Sequence, residues 1–197
     1  MRAKDKFFEK IKLLILFFTL CFSHSLHAEN IYEKIFNYNN ALKDSSAKFI
    51  QTNSNYVQEG EIFFGKERIK IIYSNPVRIT LVLSEKKGMY INHELEEAEF
   101  FITKKSYIKK FFDIFYTKIN MQNINIKHSD QQIEINEKIK MDNNFFEIKF
   151  IYENEPIKLR RLEIISDDEK IQMGFFEHKF EKVFDKNFFS MIDPYLN

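Results

Sequence analysis

The sequence predicts a mainly β (α+β) fold, with about eleven short antiparallel strands curling into a largely closed sheet and helices over its mouth. Three observations lead there. Short β-prone runs recur along most of the chain, separated by tight turns. Two stretches switch to a helical period. The third is a surplus. With 23 Phe and 9 Tyr in 197 residues, the chain carries more apolar, aromatic surface than one face of a small sheet needs for its own core. A codon-composition bias would also enrich phenylalanine, so the count alone identifies nothing.

The first 28 residues are set apart. Arg2, Lys4, Lys6, Lys10 and Lys12 precede the apolar run LLILFFTLCF (13–22), and a polar stretch then ends at the small residue Ala28. These are the three parts of a secretory signal peptide cleaved near Ala28, and ten apolar residues are too few to span roughly 30 Å of hydrocarbon. Cys21 is preceded by Leu20, where a lipidation motif needs a small residue. Export is therefore expected, with residues 29–197 forming a single domain. Residues 1–28 carry five basic and two acidic residues, which leaves −2 for the remainder of a chain with formal charge +1. That balance argues against nucleic acid or an anionic membrane surface as partner. The cysteine is removed with the signal, so the domain must stand without disulfides.

The elements follow in order. Ile31, Ile35, Tyr38 and Leu42 form the apolar stripe of an amphipathic helix at about 30–43. SSAKFIQTNS (45–54) reads as the first strand. Ile62–Phe64 and Arg68–Tyr73, joined through Gly65, read as a hairpin in which Ile69, Ile71 and Tyr73 share a face. Pro76 marks a strand boundary. VRITLVLS (77–84), with Ile79, Leu81 and Leu83 on one face, is the fourth strand, followed by MYIN (89–92) and LEEAEFFI (95–102). The period then changes: Tyr107, Ile108, Phe111, Phe112 and Phe115 make a helical stripe across 104–116, with Lys104, Lys105, Lys109 and Lys110 opposite. After a polar loop come INIKH (124–128), QQIEINE (131–137), NFFEIKFIY (144–152), KLRRLEII (158–165) and KIQMGFFEHKF (170–180), and then an aromatic tail, VFDKNFFSMIDP (183–194). Sequential strands with short turns imply an antiparallel meander, and a meander this long must curl.

Chemistry is sparse. Four glycines, at 60, 65, 88 and 174, make no phosphate loop, and there is no nucleophile elbow. His93, His128 and His178 lack metal-ligand spacing. The acidic run Glu94, Glu96, Glu97 and Glu99 would be divided between two faces by strand alternation. No carboxylate pair stands out as an acid–base couple. Neither an enzyme, a metal nor a cofactor is expected.

Several short motifs, taken in order, resemble one family. Phe49-Ile50-Gln51 is similar to the F-x-Q on the first strand of periplasmic outer-membrane lipoprotein carrier proteins (LolA). Gly60-Glu61-Ile62-Phe63 resembles that family's hairpin strand, and Arg68 through Tyr73-Ser74-Asn75-Pro76 resembles a next strand ending Y-x-x-P. LVLSEKKGMYINHELEEAE (81–99) and the stretch from Phe184 through Phe189 to Pro194 match the order of later family segments. The resemblance implies an unclosed β-barrel of eleven strands with helices forming a lid over an apolar cavity. It implies a carrier that takes acylated lipoproteins from an inner-membrane ABC transporter to an outer-membrane receptor or to the outer membrane itself. An acyl chain of roughly sixteen carbons carries on the order of 12 kcal/mol of transfer free energy, so it needs a container in water. The lining expected from strand alternation and the helical stripe is Phe49, Phe63, Ile69, Ile71, Tyr73, Ile79 and Leu81, with Phe111, Phe112 and Phe115 from the lid. The family's lid-gating arginine, part of an Arg-Pro pair, corresponds here to Lys66 or to Arg68, without the proline; lysine lacks the planar fork of arginine. The alternative reading keeps the same non-enzymatic fold as a periplasmic binding or sensing module for another lipid or apolar ligand.

Overall fold

The structure, a computed structural model, describes residues 30–196 except 105, 117–124, 142–143 and 168. The expected signal peptide and the polar loop after the middle helix lie outside the described residues. From Tyr32 onward the chain forms one compact unit.

Helix α1 spans Ile31–Ala41. Asn30 stands at the N-cap position and Glu33 lies in the first turn, where the helix dipole favours an acid. The apolar stripe turns inward as its period demands, with Ile35 and Leu42 fully buried. The helix is closed by the Leu42 N–H donating to the Tyr38 carbonyl at 3.0 Å, and Asp44, at φ 61°, swings the chain into the sheet.

Among the described residues eleven strands form one sheet: β1 Ser45–Thr52, β2 Val57–Phe64, β3 Arg68–Asn75, β4 Ile79–Ser84, β5 Lys87–Asn92, β6 Glu97–Ile102, β7 Asn125–His128, β8 Gln132–Met141, β9 Asn144–Glu153, β10 Lys158–Ile165 and β11 Lys170–Lys179. Helix α2, Tyr107–Tyr116, falls between β6 and β7. The strands run in the order β6-β5-β4-β3-β2-β1-β11-β10-β9-β8-β7, and all are antiparallel. The expected single meander is thus two meanders joined at their centre. There β1 pairs with β11, with Phe49 opposite Phe175 and Gln51 opposite Met173. The two outer strands, β6 and β7, do not pair, so the sheet is open along one seam. α2 connects the strands on either side of that seam.

Residues directly opposed on antiparallel strands share a face. The register therefore gathers Phe49, Ile62, Phe64, Ile69, Ile71, Tyr73, Leu81, Leu83, Ile148, Phe150, Leu162 and Met173 on the inner face, under the helices. α1 and the second half of α2 fill one end of it. There Asn39, buried on α1, donates to the Ile114 carbonyl at 3.0 Å and accepts from the Tyr152 hydroxyl at 3.3 Å. The Tyr38 hydroxyl accepts from the Leu159 N–H at 2.9 Å, and burial pushes this phenol up to about 12.

The outer face is not all solvent. Val82, Met89 and Ile91 are buried there against Ala98 and two residues of the C-terminal segment, Met191 and Tyr195. That segment, 180–196, contains neither helix nor strand and straps across the outside of β2 to β6. The apolar surplus of the sequence divides between these two places, inside under the helices and outside under the strap.

Candidate functional site

A cavity of about 180 Å³ lies between the inner face of the sheet and the first half of α2. Its wall is almost wholly apolar: Ile62, Ile71, Leu81, Leu83, Ile148, Leu162, Ile164, Ile171 and Met173 from the sheet, with Ile108 and Phe111 from the helix above. Gln51 and Tyr73 supply the polar atoms at one end, where the Tyr73 hydroxyl donates to Gln51 Oε1 at 2.9 Å.

α2 covers the cavity because one of its faces is a run of aromatics. Phe111 packs on Phe115 (4.5 Å between centroids) and on Phe150 (5.8 Å), and Phe115 is held between Phe64 and Phe150 at 5.7 and 5.5 Å. Its polar face reaches both halves of the sheet. Lys109 pairs with Glu85, in the β4–β5 turn, at 3.6 Å and with Asp113, while Lys110 pairs with Glu137 on β8 at 3.4 Å. These exposed or half-exposed pairs are individually weak. A stronger tether is Tyr116 at the helix end. Its hydroxyl donates to the Gly65 carbonyl at 2.9 Å, with a longer approach to the Arg68 carbonyl at 3.3 Å, and its ring stacks on Phe112. Burial pushes this phenol well above its ordinary range, so it stays a donor.

The structure brings Ile71, Tyr73, Leu81 and Phe111 together on the cavity wall. Phe49 packs edge-on against Tyr73 at 5.1 Å without lining the cavity, and Ile69, opposite Phe64, is buried toward the helix-filled end. Ile79 lies opposite Tyr73 at the start of β4, half-buried, and outside the lining. Phe112 and Phe115 are buried helix residues that pack on Tyr116 and on Phe64 and Phe150 rather than on the cavity.

Phe63 points the other way. Ile62 and Phe64 take the inner face of β2, so alternation sends Phe63 outward, where it meets Phe188 at 5.0 Å and Phe184 at 6.1 Å in the strap. The expected gating pair is also placed differently. Lys66 is exposed in the β2–β3 turn, and the Arg68 guanidinium donates to the Phe189 carbonyl of the strap at 2.7 Å. What reaches α2 from this turn is backbone, through Tyr116. A tyrosine closing an aromatic helical stripe was the available signal, since a buried phenol needs a partner for its hydroxyl.

His93 bridges Thr80 at 2.8 Å and Tyr195 at 3.0 Å, His128 meets Asn154 at 3.0 Å, and His178 stacks on Phe180. A larger groove of about 520 Å³ on the outer face is open and edged by Lys48, Glu59 and Glu61.

Fold and site together define an open antiparallel barrel with a helix laid over an apolar cavity. The structure is similar to a chain in the complex of Pseudomonas aeruginosa MucA/MucB, with 7% identity over 81% of this chain and 59% of that one and a TM-score of 0.46. It is similar to a putative outer membrane lipoprotein-sorting protein domain from Vibrio parahaemolyticus (9% identity, 81% of this chain and 97% of that one, TM-score 0.43). LprF from Mycobacterium bovis is a third such structure (11%, 80% and 96%, TM-score 0.38). The chain spans about three fifths of the length of the MucA/MucB chain it matches. No family model and no curated protein matches the sequence.

Proposed function

We propose that this protein is a periplasmic carrier that shelters the acyl chains of lipoproteins between the inner and outer membranes, handing them from a releasing ABC transporter to an outer-membrane receptor or to the membrane. One observation carries the reading: an apolar cavity roofed by an amphipathic helix. Its wall offers hydrocarbon and two hydrogen-bonding side chains, which suits sequestration. The cavity is smaller than the roughly 300–1,000 Å³ of common ligand sites. Loading an acyl chain therefore requires α2 to lift. Among the described residues the polar contacts of the helix with the sheet are the Lys109–Glu85 and Lys110–Glu137 pairs and the Tyr116 hydrogen bonds, few enough for one element to open.

The test is recovery of tagged protein from the periplasm, followed by intact mass analysis of what accompanies it. Acylated lipoproteins are expected, and Phe111→Asp, which puts a charge over the cavity, is expected to abolish their recovery while the far-UV spectrum is kept. Free lipid alone would move the protein to lipid binding or sensing. An empty protein in both forms would overturn the reading.

A further inference from the structure

Within the carrier reading, on which this inference rests, the cavity has a polar end whose composition restricts the ligand. On the inner face Gln51 of β1 lies opposite Gln58 of β2, with Tyr73 of β3 beside them. The three side chains form a directed chain: the Tyr73 hydroxyl donates to Gln51 Oε1 at 2.9 Å, and Gln51 Nε2 donates to Gln58 Oε1 at 3.1 Å. Gln51 is 8% exposed and lines the cavity. Leucine or isoleucine, the residues used over most of the wall, would fill this place without the cost of burying an amide.

The chain also leaves a donor over. A carboxamide carries two N–H groups. Gln58 takes one, and among the described residues the second has no acceptor. In this arrangement the Tyr73 O–H occupies the oxygen side of the amide and the nitrogen lies on the other. An apolar pocket with one oriented N–H suits a hydrocarbon chain ending in a carbonyl.

We propose that Gln51, oriented by Tyr73 and Gln58, binds the carbonyl oxygen of an acyl ester or amide, so that the cavity selects acyl chains over plain hydrocarbon and holds them carbonyl-end toward the β1–β2 turn. The carbonyl of a glycerolipid and that of a protein-bound acyl group present the same acceptor, and the intact masses described above separate the two.

The experiment uses protein purified from cells making the full chain, with N-phenyl-1-naphthylamine as a fluorescent occupant of the cavity. Methyl laurate, lauramide and dodecane compete it out, each corrected for its own partition from water. The ester and amide are expected to bind about tenfold tighter than dodecane, the worth of one buried hydrogen bond. Gln51→Met, which keeps the volume and removes the amide, is expected to erase that preference and leave dodecane within twofold. Tyr73→Phe removes the hydroxyl that orients the amide and is expected to narrow the preference. If Gln51→Met does not fold, the wild-type side-chain ¹⁵N–¹H resonance of Gln51 gives the same answer, shifting with methyl laurate and not with dodecane. Equal binding of all three compounds, or an unmoved resonance, overturns the inference alone. Failure of the dye and of every competitor to bind overturns the carrier reading and the inference with it.

Discussion

Asn39 shows how one residue can decide whether a lid has a floor. It stands in the stripe of α1 between Ile35 and Leu42, where an apolar side chain would be the plain choice, and it joins α1 to α2 and β9 instead. Asn39→Ala leaves the Ile114 carbonyl and the Tyr152 hydroxyl without this partner in the interior. We expect a loss of about 2–4 kcal/mol, read as a lowered urea midpoint at unchanged slope. His178 is the second such residue. A register shift between β1 and β11, with Glu177 at φ 48°, sets its ring against Phe180 at 6.3 Å. Burial, reinforced by Lys158 and Arg160, lowers its pKa from 6.5 to about 4. The folded state thus resists protonation that the unfolded chain accepts below pH 6.5, so stability falls as the pH drops from 6.5 toward 4. His178→Phe keeps the stack and removes the proton site. Urea midpoints at pH 7, 5.5 and 4.5 should fall less steeply for the variant than for the wild type. Sequence alternation reached Ile71, Tyr73 and Leu81 because each lies in a run whose parity is clear. It misplaced Phe63 because both parities of Ile62–Phe63–Phe64 are apolar, and only the pairing of β2 with β3 selects between them. The role of Asn39 was hidden for a related reason: a polar residue in an apolar stripe has no visible partner until distant elements meet.

The elements were more legible than their faces. All eleven strands and both helices stand where periodicity put them, with β2 beginning at Val57 and β8 extending to Met141 beyond the expected runs. Polar residues such as Gln58 and Glu59, or Lys138 and Lys140, obscured those extensions, since a strand solvated on one side loses its apolar signature there. The lid helix was evident from its stripe, but its tether was not. The charged residues of the β2–β3 turn are conspicuous in the sequence, while the tether uses that turn's carbonyls. Tyr116→Phe keeps the stack on Phe112 and removes the hydroxyl. The expected cost is about 1 kcal/mol. Hydrogen exchange should accelerate at the amides of 108–116 and stay unchanged in β1 and β11, because the change frees one element and leaves the central ladder intact. The strap is the element with the least sequence signal. Its aromatics have no period, yet Phe184, Phe188 and Phe189 lie within 5.0 Å of one another, centroid to centroid, and pack on Phe63 of β2.

At the scale of the molecule, the pairing of first strand with last could not be read from the chain. Local turn chemistry predicts neighbours in sequence, while β1 and β11 meet across more than a hundred residues, through complementary apolar faces that many other pairings would also satisfy. That pairing is what places the gap between β6 and β7. A closed barrel has a fixed circumference, and enlarging it means breaking rungs of hydrogen bonds. This sheet behaves as a split ring. On the carrier reading, the rim would spread by a change of curvature shared over ten strand pairs, with every backbone bond kept and the work falling on one helix that spans the opening. On the same reading, capacity would be set by how far the ring is sprung, and acyl chains of different girth would be held by one set of contacts.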